Sequence, residues 1–330
     1  MMDLLAYAAF FLTVALSYAV ICLGLNLQWG QTGLFNVGVA GFVAIGAYVS
    51  ALLTTPAAAD RFGGFDMPIV VGWLGAALVT GFATLLLGAI TIRLRADYLA
   101  IATFGTAVAV QLVLLNAQSL TGGPFGIGYI PRPFAASAGD PTVFGFTNLA
   151  LTAAVVLGVY LALERLVRSP WGRVLRAIRE DETAALALGK NAMSFRLQAF
   201  AIGGAIMGLA GAVQAHFIGF IAPDNYLPTL TFQIWAMLIV GGSGNNRGAI
   251  LGAVLVWGLW AVSASAVSAF FPADQQARAS SLQIVMIGAA LCAILLLRPR
   301  GLLGEVKTVS RHLSGPRKAV NKEPSNADSA

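Results

Sequence analysis

Apolar runs about twenty residues long recur along nearly the whole chain, with almost no charge inside them. A helix of about that length crosses the roughly 30 Å hydrocarbon core of a bilayer. The runs fall at roughly 4–28, 33–55, 68–93, 98–117, 145–168, 196–218, 228–243, 248–270 and 281–298. They predict an all-α, polytopic transmembrane helix bundle of about eight to ten spans. Composition agrees: of 330 residues, 58% are hydrophobic and 10% charged, against about 25% charged in soluble domains. Mean hydropathy is +0.80. These values exclude a cytosolic enzyme, a disordered chain and a nucleic-acid-binding domain, despite a net charge of +6. The two cysteines, Cys22 and Cys292, lie in apolar runs and read as small buried hydrophobes. With only His216 and His312, no His/Cys cluster is available for zinc or haem.

The placement of charge orients the bundle. Loops 56–67, 118–144 and 271–280 carry one basic residue each, Arg61, Arg132 and Arg278, and the other 17 of the 20 Lys and Arg fall on the opposite side. The positive-inside rule then sets the N-terminus outside and the C-terminus in the cytoplasm. The first residues hold Asp3 and no basic residue, so the first run lacks the n-region of a signal peptide and is expected to remain as a helix. Residues 1–304 read as one transmembrane domain, and the polar stretch 305–330 as a flexible cytoplasmic tail.

Two places interrupt the spans. They are Gly30–Gly41 (GQTGLFNVGVAG) and Gly241–Gly248 (GGSGNNRG), and the run 229–240 before the second is short for a crossing. Re-entry at 229–240 would put the basic tail outside, so a short or broken crossing helix is preferred. Two similarly placed breaks are consistent with an internal repeat; equally, small residues simply let helices approach closely.

The most informative loop is cytoplasmic. Residues 164–196 hold 11 of the 34 charges. Ser169-Pro170 is a helix start, with Ser as N-cap and Pro at the first helical position. Trp171, Leu175, Ile178, Ala185 and Leu188 recur at helical spacing, Asp181 can cap a second short helix, and Gly189 is a stop. One or two amphipathic helices are therefore expected across about 169–194. Their apolar stripe must be covered by the headgroup layer, the bundle or a cytosolic partner.

The wider string SPWGRVLRAIREDETAALALG resembles the cytoplasmic loop of the branched-chain amino acid permease family of bacterial ATP-binding-cassette (ABC) importers, in its LivM-type subunit. Such loops carry an E-A-A-x-x-x-G pattern. Ala184, Ala185 and Gly189 match it, while Thr183 stands where the pattern has Glu and Glu182 lies one residue earlier. GLFNVGVAGFVAIGAYVSALL, RADYLAIATFG, LTGGPFGI, APDNYLPTLTFQIWAMLIVGGSGNNRGAILGA and LLLRPRGLLG resemble the same family, from residue 33 to 304. The resemblance implies an inner-membrane permease with the ABC importer permease fold. It implies a LivH-type second permease subunit, two cytosolic ATPases that use ATP and Mg, and a periplasmic binding protein. No nucleic-acid partner and no cofactor of its own are expected. An ATPase-coupling surface is implied at Trp171, Gly172, Arg173, Arg176, Arg179, Glu180, Asp181, Glu182, Ala184, Ala185 and Gly189. The chain lacks G-x-x-x-x-G-K-[ST], so it holds no ATP loop of that type.

Polar residues within the spans are candidates for the path because they are costly in lipid. Asn36, Thr103 and Gln233 are the main candidates, Asn36 and Gln233 being nearest the breaks. Thr106, Gln111, Asn116 and Gln214 are further ones. Asp97 and Glu164, near helix ends and basic neighbours, read as structural ion-pair members, and His216 as an interfacial histidine. No carboxylate lies mid-span, which argues against a proton- or sodium-coupled carrier. The expected function is import of leucine, isoleucine and valine. Urea, short amides or aromatic acids are alternatives within the family, and a self-sufficient secondary carrier is an alternative outside it. An intramembrane enzyme would need a nucleophile–base pair or metal cluster, and neither is visible.

Overall fold

The computed structural model describes residues 2–57, 62–135, 140–270, 281, 285, 287–289, 292–294, 296–298 and 301–305. Arg61, the loop 271–280 with Arg278, and the tail from 306 with His312 lie outside the described residues. The chain folds into α1 (Met2–Gln28), α2 (Val39–Thr54), α3 (Ile69–Thr91), α4 (Ala96–Asn116), α5 (Gln118–Thr121), α6 (Pro141–Arg168), α7 (Pro170–Glu180), α8 (Glu182–Ala187), α9 (Ala192–Ile218), α10 (Pro228–Gly241) and α11 (Asn246–Phe270). The described residues between 281 and 297 are also helical.

Among the described residues, six helices are long and apolar enough to cross a membrane: α1, α3, α4, α6, α9 and α11. The apolar helices α2 and α10 are shorter, at 16 and 14 residues, or about 24 and 21 Å. This is a multi-pass membrane protein. Its helix ends follow local chemistry. The Asp140 side chain caps α6, accepting from the N–H groups of Thr142 and Val143 at 2.9 and 3.3 Å. Asn191 caps α9 through the Ser194 N–H at 3.1 Å, and left-handed Gly219 ends it.

Burial separates centre from rim. In α1 and α9, 67% and 61% of the most apolar stretch is buried, against 22% in α3, α4 and α6. The rim helices turn Leu78, Ile90, Ile101 and Leu157 outward, as a lipid-facing surface does. In lipid, close packing must replace the hydrophobic drive between helices, and small residues permit it. Around α9 this is literal. A Cβ on Gly24 of α1 would lie 2.7 Å from the Gly203 carbonyl, and one on Gly46 of α2 would overlap the Gly208 backbone.

The loop between α4 and α6 is folded in at its described middle. Ile127 and Ile221 exchange backbone hydrogen bonds of 2.8 and 2.9 Å, and Ile127 and Ile130 are buried. His216 is buried rather than interfacial, which corrects the sequence expectation. Its ring reaches the Pro131 carbonyl at 2.7 Å and Ser50 Oγ at 2.9 Å. A carbonyl only accepts, so Nδ1 carries a proton and donates to Pro131. The environment explains the change: the returning loop covers the end of α9 that the sequence left open. Cys22 is buried as expected, but Cys292 is exposed, because its helix stands at the rim.

Gly46→Leu is expected to cost about 3 kcal/mol through overpacking at the α2–α9 crossing, read as a lowered thermal midpoint in detergent. Gly158→Ala, where a Cβ meets nothing within 4 Å, should leave the midpoint unchanged or slightly raised.

Candidate functional site

The loop 169–191 forms two helices at one end of the bundle, as the spacing predicted. Leu175, Ile178 and Ala185 are buried, with Ile178, Ala185 and Ala192 packed together against Val174 and Phe195. Asp181 ends α7 and caps α8 by accepting from the Ala184 N–H at 3.0 Å. Ser169 occupies the cap position of α7, but its hydroxyl donates to the Leu166 carbonyl at 2.7 Å instead. Gly172 is required by a close approach, since a Cβ there would lie 2.6 Å from Val167 Cα. Trp171 Nε1 donates to Gln198 Oε1 at 2.8 Å, and Glu182 pairs with Arg196 at 2.8 Å. Gly189 takes φ of +73°, which suits glycine at a helix end.

The loop thus has a fastened side and a free side. Arg173, Glu180 and Ala184 are exposed, as are Leu186 and Leu188, the last at 78%. Leu188, expected on the buried stripe, lies instead beyond the end of α8. Arg176 is half-buried and, among the described residues, has no ion pair. Arg179 is held within the chain: Nη1 donates to the Gly30 carbonyl, and Nη2 reaches Glu305 Oε1 and Oε2 at 2.7 and 2.9 Å.

Gly30 begins the first of the two interruptions, a non-helical strap running from Trp29 to Gly38 between α1 and α2. Asn36, fully buried, donates to Gln28 Oε1 at 2.7 Å and accepts from the Gly38 N–H at 2.8 Å. Gln28 Nε2 donates to the Phe200 carbonyl of α9 at 2.8 Å. Thr103 Oγ1 accepts from the Val37 N–H at 2.9 Å, and Thr231 Oγ1 from the Ala40 N–H at 3.0 Å. Trp235 Nε1 donates to the Asn36 carbonyl at 2.9 Å. Asn36 and Thr103 therefore sit behind the surface, with their polar atoms engaged. Gln233 is half-buried on α10 and makes no hydrogen bond among the described residues. Thr106 and Asn116 bond back to their own helix.

The surface in front of the strap is aromatic. Trp29, Phe35 and Trp235 stack mutually with centroids 4.8–5.3 Å apart. With Val37, Phe232 and Ile239 they line an open cleft of about 500 Å3. Sequence reading of polar residues missed this wall; the signal was Trp29 and Phe35 flanking the interruption. Near the end of α9 a smaller cavity of about 220 Å3 includes Tyr18, Gln214, Asn225 and Tyr226. Burial, and secondarily the neighbouring Tyr48, raises the Tyr226 phenol above its ordinary range.

The second interruption is a tight turn between α10 and α11, not a helix break, and it is sewn to α1. Asn26 Nδ2 donates to Asn246 Oδ1 at 2.9 Å, and Asn26 Oδ1 accepts from the Gly244 N–H at 2.8 Å. Gln31 Nε2 reaches the Gly244 carbonyl at 2.9 Å. Glu164 makes the expected ion pair, with Arg168 at 2.6 Å, and also accepts from Asn246 at 3.1 Å. Asp97 makes none among the described residues, contrary to expectation; it lies in the first turn of α4, where the helix dipole already favours a negative charge.

A family model described as branched-chain amino acid transport system / permease component matches residues 7–295. The high-affinity branched-chain amino acid transport system permease protein LivM of Salmonella typhimurium is 33% identical, over 93% of this chain and 72% of its own length. LivM of Escherichia coli K12 is 34% identical, over 88% and 68%. LivH of Salmonella typhimurium is 25% identical, over 88% and 92%. No solved structure matches the chain.

Asn36→Leu should leave Gln28 Oε1 and the Gly38 N–H unpaired in the interior. The expected cost is about 2–3 kcal/mol, with about 1 kcal/mol for Thr103→Val, both read by thermal unfolding in detergent.

Proposed function

The chain belongs to the branched-chain amino acid transport permease family, and on that premise we propose that it forms half of the transmembrane path of an ABC importer for leucine, isoleucine and valine. In this reading the coupling loop faces the cytoplasm of a bacterial inner membrane, and ATP with Mg is used by two separate ATPases. A LivH-type permease closes the path, and a periplasmic protein delivers the substrate. The chain itself does no covalent chemistry and binds no cofactor.

The observation that carries the reading is the two-sided loop. One side is anchored by Leu175, Ile178, Ala185 and Arg179, while Leu186 and Leu188 stand exposed beside Gly189. Exposed leucines on an anchored helix outside the spans suit insertion into a partner's groove. Arg173, Arg176, Glu180, Asp181, Glu182 and Ala184 would frame that contact, with Trp171 and Gly172 setting its angle. The aromatic cleft at Trp29, Phe35 and Trp235 would form this chain's wall of the path, with Gln233 at its edge and Asn36 and Thr103 holding it from behind. A wall of that character favours an aliphatic side chain over urea or a short amide. Among the described residues no Asp, Glu, Lys or Arg is buried, which supports power delivered from outside the bundle.

The test is uptake of labelled leucine into vesicles holding both permeases and the ATPases, against labelled urea. Leucine uptake is expected to need ATP, and uptake that persists without the ATPases sinks the proposal. Leu186→Glu combined with Leu188→Glu should cut uptake at least tenfold, on the scale of losing an interface hot spot, while leaving the thermal midpoint near that of the parent protein.

A further inference from the structure

The turn from α3 to α4 carries Arg93 and Arg95 and opens on a cleft of about 530 Å3. The cleft is lined by residues 92–96 of that turn together with Glu182, Met193 and Arg196. It therefore joins the edge of the bundle to the start of α8 and α9. Arg196 Nη1 donates to Glu182 Oε2 at 2.8 Å, yet its Nε is buried with no hydrogen-bond partner. No side chain caps α4 at Arg95, so first-turn N–H groups remain available there. The fixed charges are three arginines against Glu182, already paired, and Asp97 in the first turn of α4. The balance is positive, and the donors outnumber the acceptors.

What adjoins the cleft decides its ligand. Leu86 and Ile90 at the end of α3, Leu94 in the turn, and Tyr98 and Ile101 at the start of α4 are all exposed. They form an apolar apron continuous with the lipid-facing surface, and the arginines stand at its rim. A ligand filling both parts carries a phosphate or similar anion at one end and hydrocarbon at the other. Basic pockets at the membrane boundary recognise anionic headgroups in this way.

We propose that this cleft binds the phosphate of an anionic phospholipid in the adjoining leaflet, with Arg93, Arg95 and Arg196 as donors and the acyl chains along α3 and α4. A soluble phosphate shares the headgroup chemistry, and the apolar apron argues for the lipid. Because Arg196 also holds Glu182, the bound headgroup touches the segment that positions α8. The inference needs only that the chain spans a bilayer and is independent of the transport reading.

The experiment uses the purified full chain in nanodiscs of phosphatidylcholine containing a minor fraction of phosphatidylglycerol, with retained lipid measured by native mass spectrometry. No transport partner is present, so failure here and failure of the transport assay are separate results. The parent chain is expected to retain phosphatidylglycerol selectively. Arg93→Gln and Arg95→Gln should each lower retention about fivefold, and the double variant roughly 30-fold, from the usual worth of a basic side chain at an anionic surface. Arg93→Lys with Arg95→Lys keeps the charge and should stay within a few-fold of the parent, which covers a double Gln variant that does not fold. Arg165→Gln, an exposed arginine at the end of α6, should change nothing. Parent-like retention by the Gln single variants overturns the proposal. Displacement of phosphatidylglycerol by inorganic phosphate assigns the cleft to a soluble anion and overturns it as well.

Discussion

Backbone polar groups inside a membrane protein have no water to turn to, and the rest of this architecture is arranged around that constraint. Helices meet it by themselves. The strap from Trp29 to Gly38 does not, because it leaves the helical ladder while still mostly buried. Its groups are satisfied from within and from neighbours: Asn36 takes the Gly38 N–H, Thr103 takes the Val37 N–H and Trp235 gives to the Asn36 carbonyl, while Thr231 takes the Ala40 N–H just inside α2. Partners on α4 and α10 fix the strap and the start of α2, so the strap depends on the assembled bundle. That dependence makes it a sensitive element, since movement of α4 or α10 is felt directly in its hydrogen bonds.

The constraint also explains why the centre is built from small residues. A strap and two short helices, α2 and α10, leave less surface for contact than full-length spans would. The loss is offset by bringing backbones together around α9, as at Gly24 with Gly203 and Gly46 with Gly208. Close approach of this kind depends on van der Waals contact and tolerates little added volume. The rim helices carry large apolar side chains instead, because lipid accommodates them.

Much of this was legible in the sequence, for physical reasons that differ by element. The long spans were visible because apolar length is the membrane's own criterion, and α7 and α8 because their apolar spacing and caps are local signals. The place of the strap was marked by its glycines and Asn36, though its conformation was not. The distant partners of several residues were not legible. Asn36 stood out because a buried amide is costly in lipid, and its partners, Gln28 and the Gly38 N–H, could not be read from that cost. His216 looked interfacial because its helix ends there, yet its partner in the covering loop, Pro131, lies 85 residues earlier. Arg179 was implied as part of the coupling surface, and its partners within the chain, Gly30 and Glu305, are 149 and 126 residues away. Nothing in local spacing reports such pairings.

Those long-range partners give the proposed coupling a physical route. A force applied at the free side of α8 reaches α7 through the packed Ile178 and Ala185. Arg179 then connects α7 to the Gly30 carbonyl at the start of the strap. The strap carries Trp29 and Phe35, which stack on Trp235 of α10 and form the front of the cleft. Each step is a direct contact, and none requires a charge to move through the membrane. Among the described residues no Asp, Glu, Lys or Arg is buried. A mechanical link from an extramembrane helix to an aromatic wall is the arrangement such a bundle needs if the work is done elsewhere.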